Sequence, residues 1–195
     1  MDAQPDMPQR GAQRVPLHAP PPALEPSLLR VTQVLERTPA VLHALLAGLA
    51  PEWTKGNYGP DTWSAHQVVG HLIAAEREDW LPRVQRILEC GEAKAFEPFA
   101  HTSVDGSDQP VAALLDQFAQ LRAANLHALR ALNLSPADMA RAGTHPALGR
   151  VTLGQLLSTW AVHDLHHLRQ IALAMAWQQR EAVGPWRAYL NTLER

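Results

Sequence analysis

The sequence predicts an all-α protein, a bundle of four long helices in a single domain. Three observations carry that reading. Apolar residues recur with helical spacing in four long segments. Two of these segments open on a capping box, Ser64 with Gln67 and Thr152 with Gln155. No stretch alternates apolar and polar residues over more than a few positions, as a half-buried strand would. Amphipathic helices bury their apolar stripes against one another, so four in one chain imply a bundle.

Residues 1–24, MDAQPDMPQRGAQRVPLHAPPPAL, lack the continuous apolar centre of a signal peptide. Pro20, Pro21 and Pro22 favour an extended, solvated chain. This part reads as a disordered Pro-rich tail, and the bundle domain as residues 25–195. The first helical segment, PSLLRVTQVLERTPAVLHALLAGL, is interrupted at Pro39, which has no N–H to donate four residues back. A kink or restart with Thr38 as cap is expected there. The second helix runs from Ser64 through SAHQVVGHLIAAEREDW toward Gly91, bent or broken near Pro82. The third, about Val111 to Leu132, carries Leu114, Leu115, Phe118, Leu121, Leu129 and Leu132. The fourth runs from Thr152 to about Gln178, and a short terminal helix from Pro185 to Leu193 follows.

The connections constrain the topology. Extended, the stretch Glu92–Pro110 could reach roughly 60 Å, whereas a helix of about twenty-five residues spans only about 38 Å. This loop can therefore cross the whole bundle and let helices two and three run parallel. The stretch Asn133–Val151 contains SPAD, a capped single turn, and reads as a compact corner.

Composition narrows the classes of function. A chain of 195 residues has room for one domain with a real core. A net charge of −2 offers no basic patch for nucleic acid or an anionic membrane surface. No apolar run approaches a bilayer span. The lone Cys90 excludes an internal disulfide and fits a reducing cytoplasm. Nothing around it marks an activated thiol. The expected partner is a small molecule.

The chemistry lies in two histidines one helical turn apart, His163 and His167 in WAVHDLHHLRQIALAM. At about 100° per residue, Leu153, Leu156, Trp160, Ile171 and Ala174 project within roughly 40° of His167, and so does His163. An imidazole left without a partner in such a stripe costs about 1–3 kcal/mol. A third histidine, His71, falls in the second helix one turn before Ala74 and Ala75, which would let a neighbouring helix come close. Metal sites in four-helix bundles are built in this way, from inward residues on facing helices. Three imidazoles around a divalent ion leave one position open, the arrangement of a catalytic site. Imidazole suits zinc, nickel, copper or iron, and the sequence does not choose among them. The plainer alternative is a pair of hydrogen-bonded core histidines plus an unrelated one on the surface.

Several neighbours are candidates for supporting roles. His166 points about 100° away from His167, toward the flank of the stripe, which excludes it from direct ligation. Asp164 could orient a ligand from behind or be a solvated helix charge. Glu78, seven residues after His71, could be a general base, an outer ligand or a surface salt-bridge partner. His145, before Pro146 in a loop, could line a pocket mouth. Phe96, Phe99 and Trp186 could cover the site or form a dimer contact. His18, His43, His66, His101 and His127 have no geometric claim, and no residue is singled out as catalytic.

Three stretches taken together, TPAVLHALLAGL, DTWSAHQVVGHLIAAERED and HPALGRVTLGQLLSTWAVHDLHHLRQIA, resemble the DinB/YfiT-like superfamily of bacterial four-helix-bundle proteins. The likeness runs from about Glu25 to the end and rests on GHL in helix two and HDLxHxxQI in helix four. It implies an up-down-down-up bundle with a long crossover between helices two and three, and often a homodimer. It also implies a divalent metal, nickel or zinc, on His71, His163 and His167, the set that the geometry selects. His166 stands where many members carry Asn, a departure that leaves those three in place. The activity implied is thiol S-transfer with bacillithiol, mycothiol or glutathione, in stress or detoxification. Some members are known only as stress-inducible proteins, so a metal-stabilised binding role without turnover is the alternative.

Two hydrolytic readings compete on the residues alone. His163-Asp164 is an HD dipeptide, but the two side chains of an HD metal pair both coordinate, and here they diverge by about 100°. A zinc peptidase would need the Glu of HExxH where this chain has Asp164.

Overall fold

The computed structural model describes residues 27–100, 102 and 104–193. The Pro-rich tail, His18 and His101 lie outside the described residues. Seven α-helices make up the bundle: α1 (Leu28–Leu35), α2 (Thr38–Leu46), α3 (Pro51–Lys55), α4 (Ala65–Glu78), α5 (Trp80–Cys90), α6 (Val111–Ala131) and α7 (Leu153–Trp177). Six of them form four columns, α1 with α2, α4 with α5, α6, and α7, and the short α3 packs against α4.

The expected breaks are present, with one correction. The first column stops at Leu35 and restarts at Thr38, with Pro39 in the first turn. Thr38 is not the cap: Arg37 holds that position, and the Thr38 hydroxyl donates back to the Val34 carbonyl at 3.2 Å. Pro39 cannot bond the carbonyl four residues before it. That carbonyl, on Leu35, instead receives Arg122 of α6 at 3.0 Å. The second column breaks at Asp79, three residues before Pro82, and ends at Gly91, whose φ of 57° suits glycine. Both capping boxes close, with Gln67 N–H on Ser64 Oγ at 3.2 Å and Gln155 N–H on Thr152 Oγ1 at 3.2 Å.

Contacts between α4 and α6 advance together along both helices. His66 meets the Gln109 carbonyl at 2.7 Å just before α6 begins, while the Glu76 carbonyl accepts Asn125 at 2.7 Å well along it. Between α4 and α7 the order reverses, His71 facing His163 and Glu76 facing Trp160. SPAD forms the expected turn, a 3₁₀ stretch at Pro136–Ala140 with its own capping box.

Two elements differ from the expectation. The connection before α7 contains an antiparallel hairpin, β1 (Ala142–His145) and β2 (Gly149–Thr152), pairing Ala142 with Thr152 and His145 with Gly149. Gly149 has a φ of 73°, which the end of a three-residue hairpin loop favours. The C-terminal segment forms two 3₁₀ stretches, Gly184–Tyr189 and Asn191–Leu193, in place of an α-helix. Only Leu193 is buried there, so no apolar stripe holds a longer helix against the bundle. No described helix is long and apolar enough to cross a membrane.

The core divides into two apolar clusters. One contains Leu35, Trp80, Ile87, Leu126, Leu153 and Trp160, the other Leu42, Leu46, Leu72, Leu114, Phe118 and Ile171. The boundary falls at one level on every long helix. Glu76 follows Ile73 on α4, Arg122 lies between Phe118 and Leu126 on α6, and Asp164 and His167 lie between Ala161 and Ile171 on α7. All four are buried, as is His71. The bundle thus carries a polar layer at mid-height.

Candidate metal centre

Two helices bring three imidazoles together in that layer. His71 of α4 and His163 and His167 of α7 form the one group of metal-ligating side chains found among the described residues. His163 Nε2 lies 3.3 Å from His71 Nε2 and 3.0 Å from His167 Nε2. The stripe that placed the pair in the core is intact, for Leu153, Leu156, Trp160, Ile171 and Ala174 are all buried.

Hydrogen bonding alone does not satisfy these rings. Gln170 Oε1 lies 2.6 Å from His167 Nδ1, and a carbonyl oxygen only accepts, so the ring proton sits on Nδ1 and Nε2 carries a lone pair. His163 Nε2 faces that lone pair and His71 Nε2 at once. If it carries the proton, His163 Nδ1 is left as a bare acceptor, and that atom is buried without a partner. A divalent ion bound at about 2.0–2.1 Å to each nitrogen in tetrahedral geometry would separate the nitrogens by roughly 3.3 Å. The two separations, 3.3 and 3.0 Å, lie at that edge and just under it, and the donor set fits one divalent cation.

The electrostatics agree. Burial, then the neighbouring His167 and His71, pushes His163 down to about 2. Burial, then His71, lowers His167 to about 4. Both rings are therefore neutral near pH 7, as metal ligation requires. Trp63 packs on His71 at 4.7 Å and stacks on His167 at 6.2 Å, while Trp80 meets the edge of His163 at 4.9 Å.

Beside the triad lies a buried ionic network that the spacing argument missed. Arg122 binds Glu76 through Nε at 3.0 Å and Nη2 at 2.8 Å, and Asp164 through Nη1 at 2.6 Å and Nη2 at 2.9 Å. Burial alone would lower the Arg122 pKa, but the bonds and charges of Asp164 and Glu76 outweigh it and hold it above its usual value. Glu76 also accepts the Trp160 indole N–H at 2.9 Å and Asn125 at 2.9 Å. Two carboxylates against one guanidinium leave the layer one formal negative charge, which complements a cation on the adjacent rings.

This network corrects the supporting roles. Glu78, the last residue of α4, is exposed. The inward carboxylate is Glu76, which continues the ladder Leu72, Glu76, Trp80 at helical spacing. Asp164 is fully buried on Arg122, neither a solvated charge nor one of the clustered donors, which removes the basis of the HD reading. His166 is exposed, its ring edge 5.3 Å from that of His167. His145 does line a cavity, of about 210 Å³, together with His163, Phe96 and Phe99. Trp186 does not line it and is 72% exposed.

The sequence profile of the DinB superfamily matches residues 34–171, more than half of the chain. This protein belongs to the DinB superfamily. The chain is similar to a protein of Oceanobacillus iheyensis whose name assigns it provisionally to the metal-dependent hydrolases. It is 25% identical over 138 residues, which is 70% of this chain and 79% of that one. The fold resembles that of YfiT from Bacillus subtilis, described as a probable metal-dependent hydrolase with an unusual four-helix bundle topology. That likeness has a TM-score of 0.65 at 22% identity and covers 85% of this chain and 94% of the other.

Proposed function

We propose that this DinB-superfamily protein is a metal-dependent enzyme. His71, His163 and His167 hold one divalent cation, zinc or nickel, and the site activates a low-molecular-weight thiol for transfer to a small-molecule electrophile in the cytoplasm. The observation that carries this reading is the convergence of three Nε2 atoms, 3.0 and 3.3 Å apart, in a buried layer whose remaining charge is negative. When bound, a cation on three imidazoles supplies one open position and a positive charge that lowers the pKa of a thiol or water placed there.

The chain's own residues set the conditions. Burial keeps His163 and His167 neutral, so their lone pairs are available without displacing a proton near pH 7. Gln170 holds His167 in the Nδ1–H tautomer, which directs Nε2 toward the other two rings. Trp63 and Trp80 wall the rings on two sides and restrict water.

Asp79 is the sole carboxylate on the wall of the adjoining cavity, and Arg83 engages it at 2.6 Å. A thiol is far more acidic than water before it binds, so it loses its proton there more readily without a further base, and this favours thiol over water as the nucleophile. Hydrolysis at the same site is the second reading, favoured by what the Oceanobacillus relative is named.

The test begins with metal content. The purified protein is expected to hold one equivalent, and His163→Ala and His71→Ala are each expected to lose it; stoichiometric metal in either variant sinks the ligand assignment. Titrating the cobalt-substituted protein with glutathione, bacillithiol and mycothiol then decides the nucleophile. A sulfur-to-cobalt absorption band supports thiol activation. Its absence with all three, beside turnover of ester or amide substrates, would establish the hydrolytic reading. Bound metal with no turnover of any kind would leave a non-catalytic binding protein.

A further inference from the structure

We propose that the cavity beside His163 is a binding site for a compact aromatic molecule of roughly ten non-hydrogen atoms, uncharged or singly charged, with its polar end turned to the metal centre. This rests on the metal reading above and adds the class of ligand.

Trp80, Phe96, Phe99, Val151, Leu148 and Leu156 give the cavity apolar and largely aromatic walls. Three of them, Trp80, Phe96 and Leu156, are buried, whereas Leu148 at the rim is 75% exposed, so the site is deep and opens at one end. Its volume is about 210 Å³. A dry apolar cavity of about 150 Å³ accepts benzene, so this one accommodates a single ring with a few substituents.

The charges on the wall offer nothing to a polyanion. Asp79 and Arg83 are both buried and neutralise each other at 2.6 Å, and the Arg83 guanidinium also lies over the Phe96 ring at 5.3 Å. A nucleotide or a sugar phosphate would need a cluster of cations and more room.

The cavity also reaches the metal centre. His163 forms part of its wall, and Phe99 belongs both to the wall and to the surroundings of His71, 5.8 Å between ring centroids. A ligand in the cavity therefore lies against the His163 ring, one of the three that would hold the metal. Aromatic walls favour a planar ring through stacked and edge-on contacts. Pockets that combine apolar walls with a few polar groups in this way are the usual form of a small-molecule site.

Two probes with the same metal-binding head separate the cavity from the metal. Calorimetry on the zinc-loaded protein compares benzohydroxamate with acetohydroxamate. The aromatic probe is expected to bind at least tenfold more tightly, since it buries a phenyl group where the other buries a methyl. Thr159, at the rim one turn before His163, and Val151, on the hairpin wall, are the places to fill the cavity. Thr159→Phe and Val151→Phe should each reduce the aromatic advantage to less than threefold and leave acetohydroxamate unchanged.

Equal affinities in the unaltered protein, or an advantage that survives both substitutions, would overturn the proposal. Should the protein hold no metal, the metal reading fails separately. Quenching of tryptophan fluorescence by benzyl alcohol in chelator-treated protein then decides the cavity. Saturable quenching abolished by Thr159→Phe supports the aromatic site, and quenching that is absent or unaffected rejects it.

Discussion

Gln170 Oε1 lies 2.6 Å from His167 Nδ1, one helical turn further along α7, and this contact decides which nitrogen of the ring can reach a metal. Replacing such an outer partner of a metal-binding histidine usually weakens affinity by about 10–100-fold. Gln170→Leu is expected to weaken zinc binding by about that factor while keeping one equivalent at saturation. Competition against a chromophoric chelator measures it. An unchanged affinity would mean that packing, not Gln170, orients His167.

Acid should destabilise the metal-free protein over a defined range. An unfolded histidine titrates near 6.5, whereas His167 is lowered to about 4 and His163 to about 2, by burial first and then by neighbouring imidazoles. Between those values the unfolded chain binds protons that the folded one excludes. Stability is therefore full above pH 6.5, falls as pH drops toward 4, and continues to fall toward 2. Urea midpoints of chelator-treated protein at pH 7.5, 6.5, 5.5 and 4.5 should be level between the first two and decline after. His167→Phe should flatten the decline, and a midpoint constant down to pH 4.5 would contradict the burial of these rings.

Metal removal should show the same coupling from the other side. A cation that binds only the folded form stabilises it by about 2.7 kcal/mol at one hundred times its dissociation constant. Thermal unfolding of the zinc-loaded protein is expected several degrees above that of the chelated form. In His71→Ala the two curves should coincide. A gap that persists in that variant would place the stabilising metal elsewhere.

The elements legible in the sequence were those with a local cause. Ser64–Gln67 and Thr152–Gln155 cap helices because both partners sit within one turn, and Pro39 breaks a helix whatever surrounds it. The three histidines were legible because a polar ring on an apolar stripe demands a partner. The same reasoning extends to Glu76 on the ladder Leu72, Glu76, Trp80 and to Arg122 between Phe118 and Leu126, and it would have located the ionic network. Glu78 has the same angular claim as His71 but sits where the helix ends, and angular projection carries no information about ends. The hairpin was not legible, because AGTH and GRVT are too short to alternate, and Pro146 and Gly149 mark a turn without marking strands. With the hairpin unseen, His145 was a candidate for a pocket mouth on its loop position alone, with no element to hold it there.

Arg122 is the residue on which the ionic layer depends. It is 1% exposed and satisfies Glu76, Asp164 and the Leu35 carbonyl together. Arg122→Met would leave two carboxylates buried side by side, a change that typically costs about 3–5 kcal/mol. Lysine, with a point charge and no planar fork, should recover little of that loss. Urea denaturation measures both. A loss under about 1 kcal/mol in Arg122→Met would show that water enters the layer readily.

Gly70 explains why a glycine stands beside His71 in the GHL motif. The loop between α5 and α6 lies directly on it: Gly70 O accepts the Asp105 N–H at 3.1 Å, and a Cβ on Gly70 would fall 2.4 Å from the Asp105 carbonyl oxygen and 2.7 Å from Val104 Cγ1. The first of these neighbours is backbone, so the loop must lift as a unit. Gly70→Ala is expected to cost about 1–3 kcal/mol, as overpacking usually does. Phe99 on the same loop should then loosen its contact with His71, which would weaken metal affinity as well. Limited proteolysis should cut the variant between Phe99 and Pro110 faster than the unaltered protein, with zinc affinity measured in parallel. Equal cleavage rates and unchanged stability would mean that the loop does not rest on α4, and glycine at this position would need another cause.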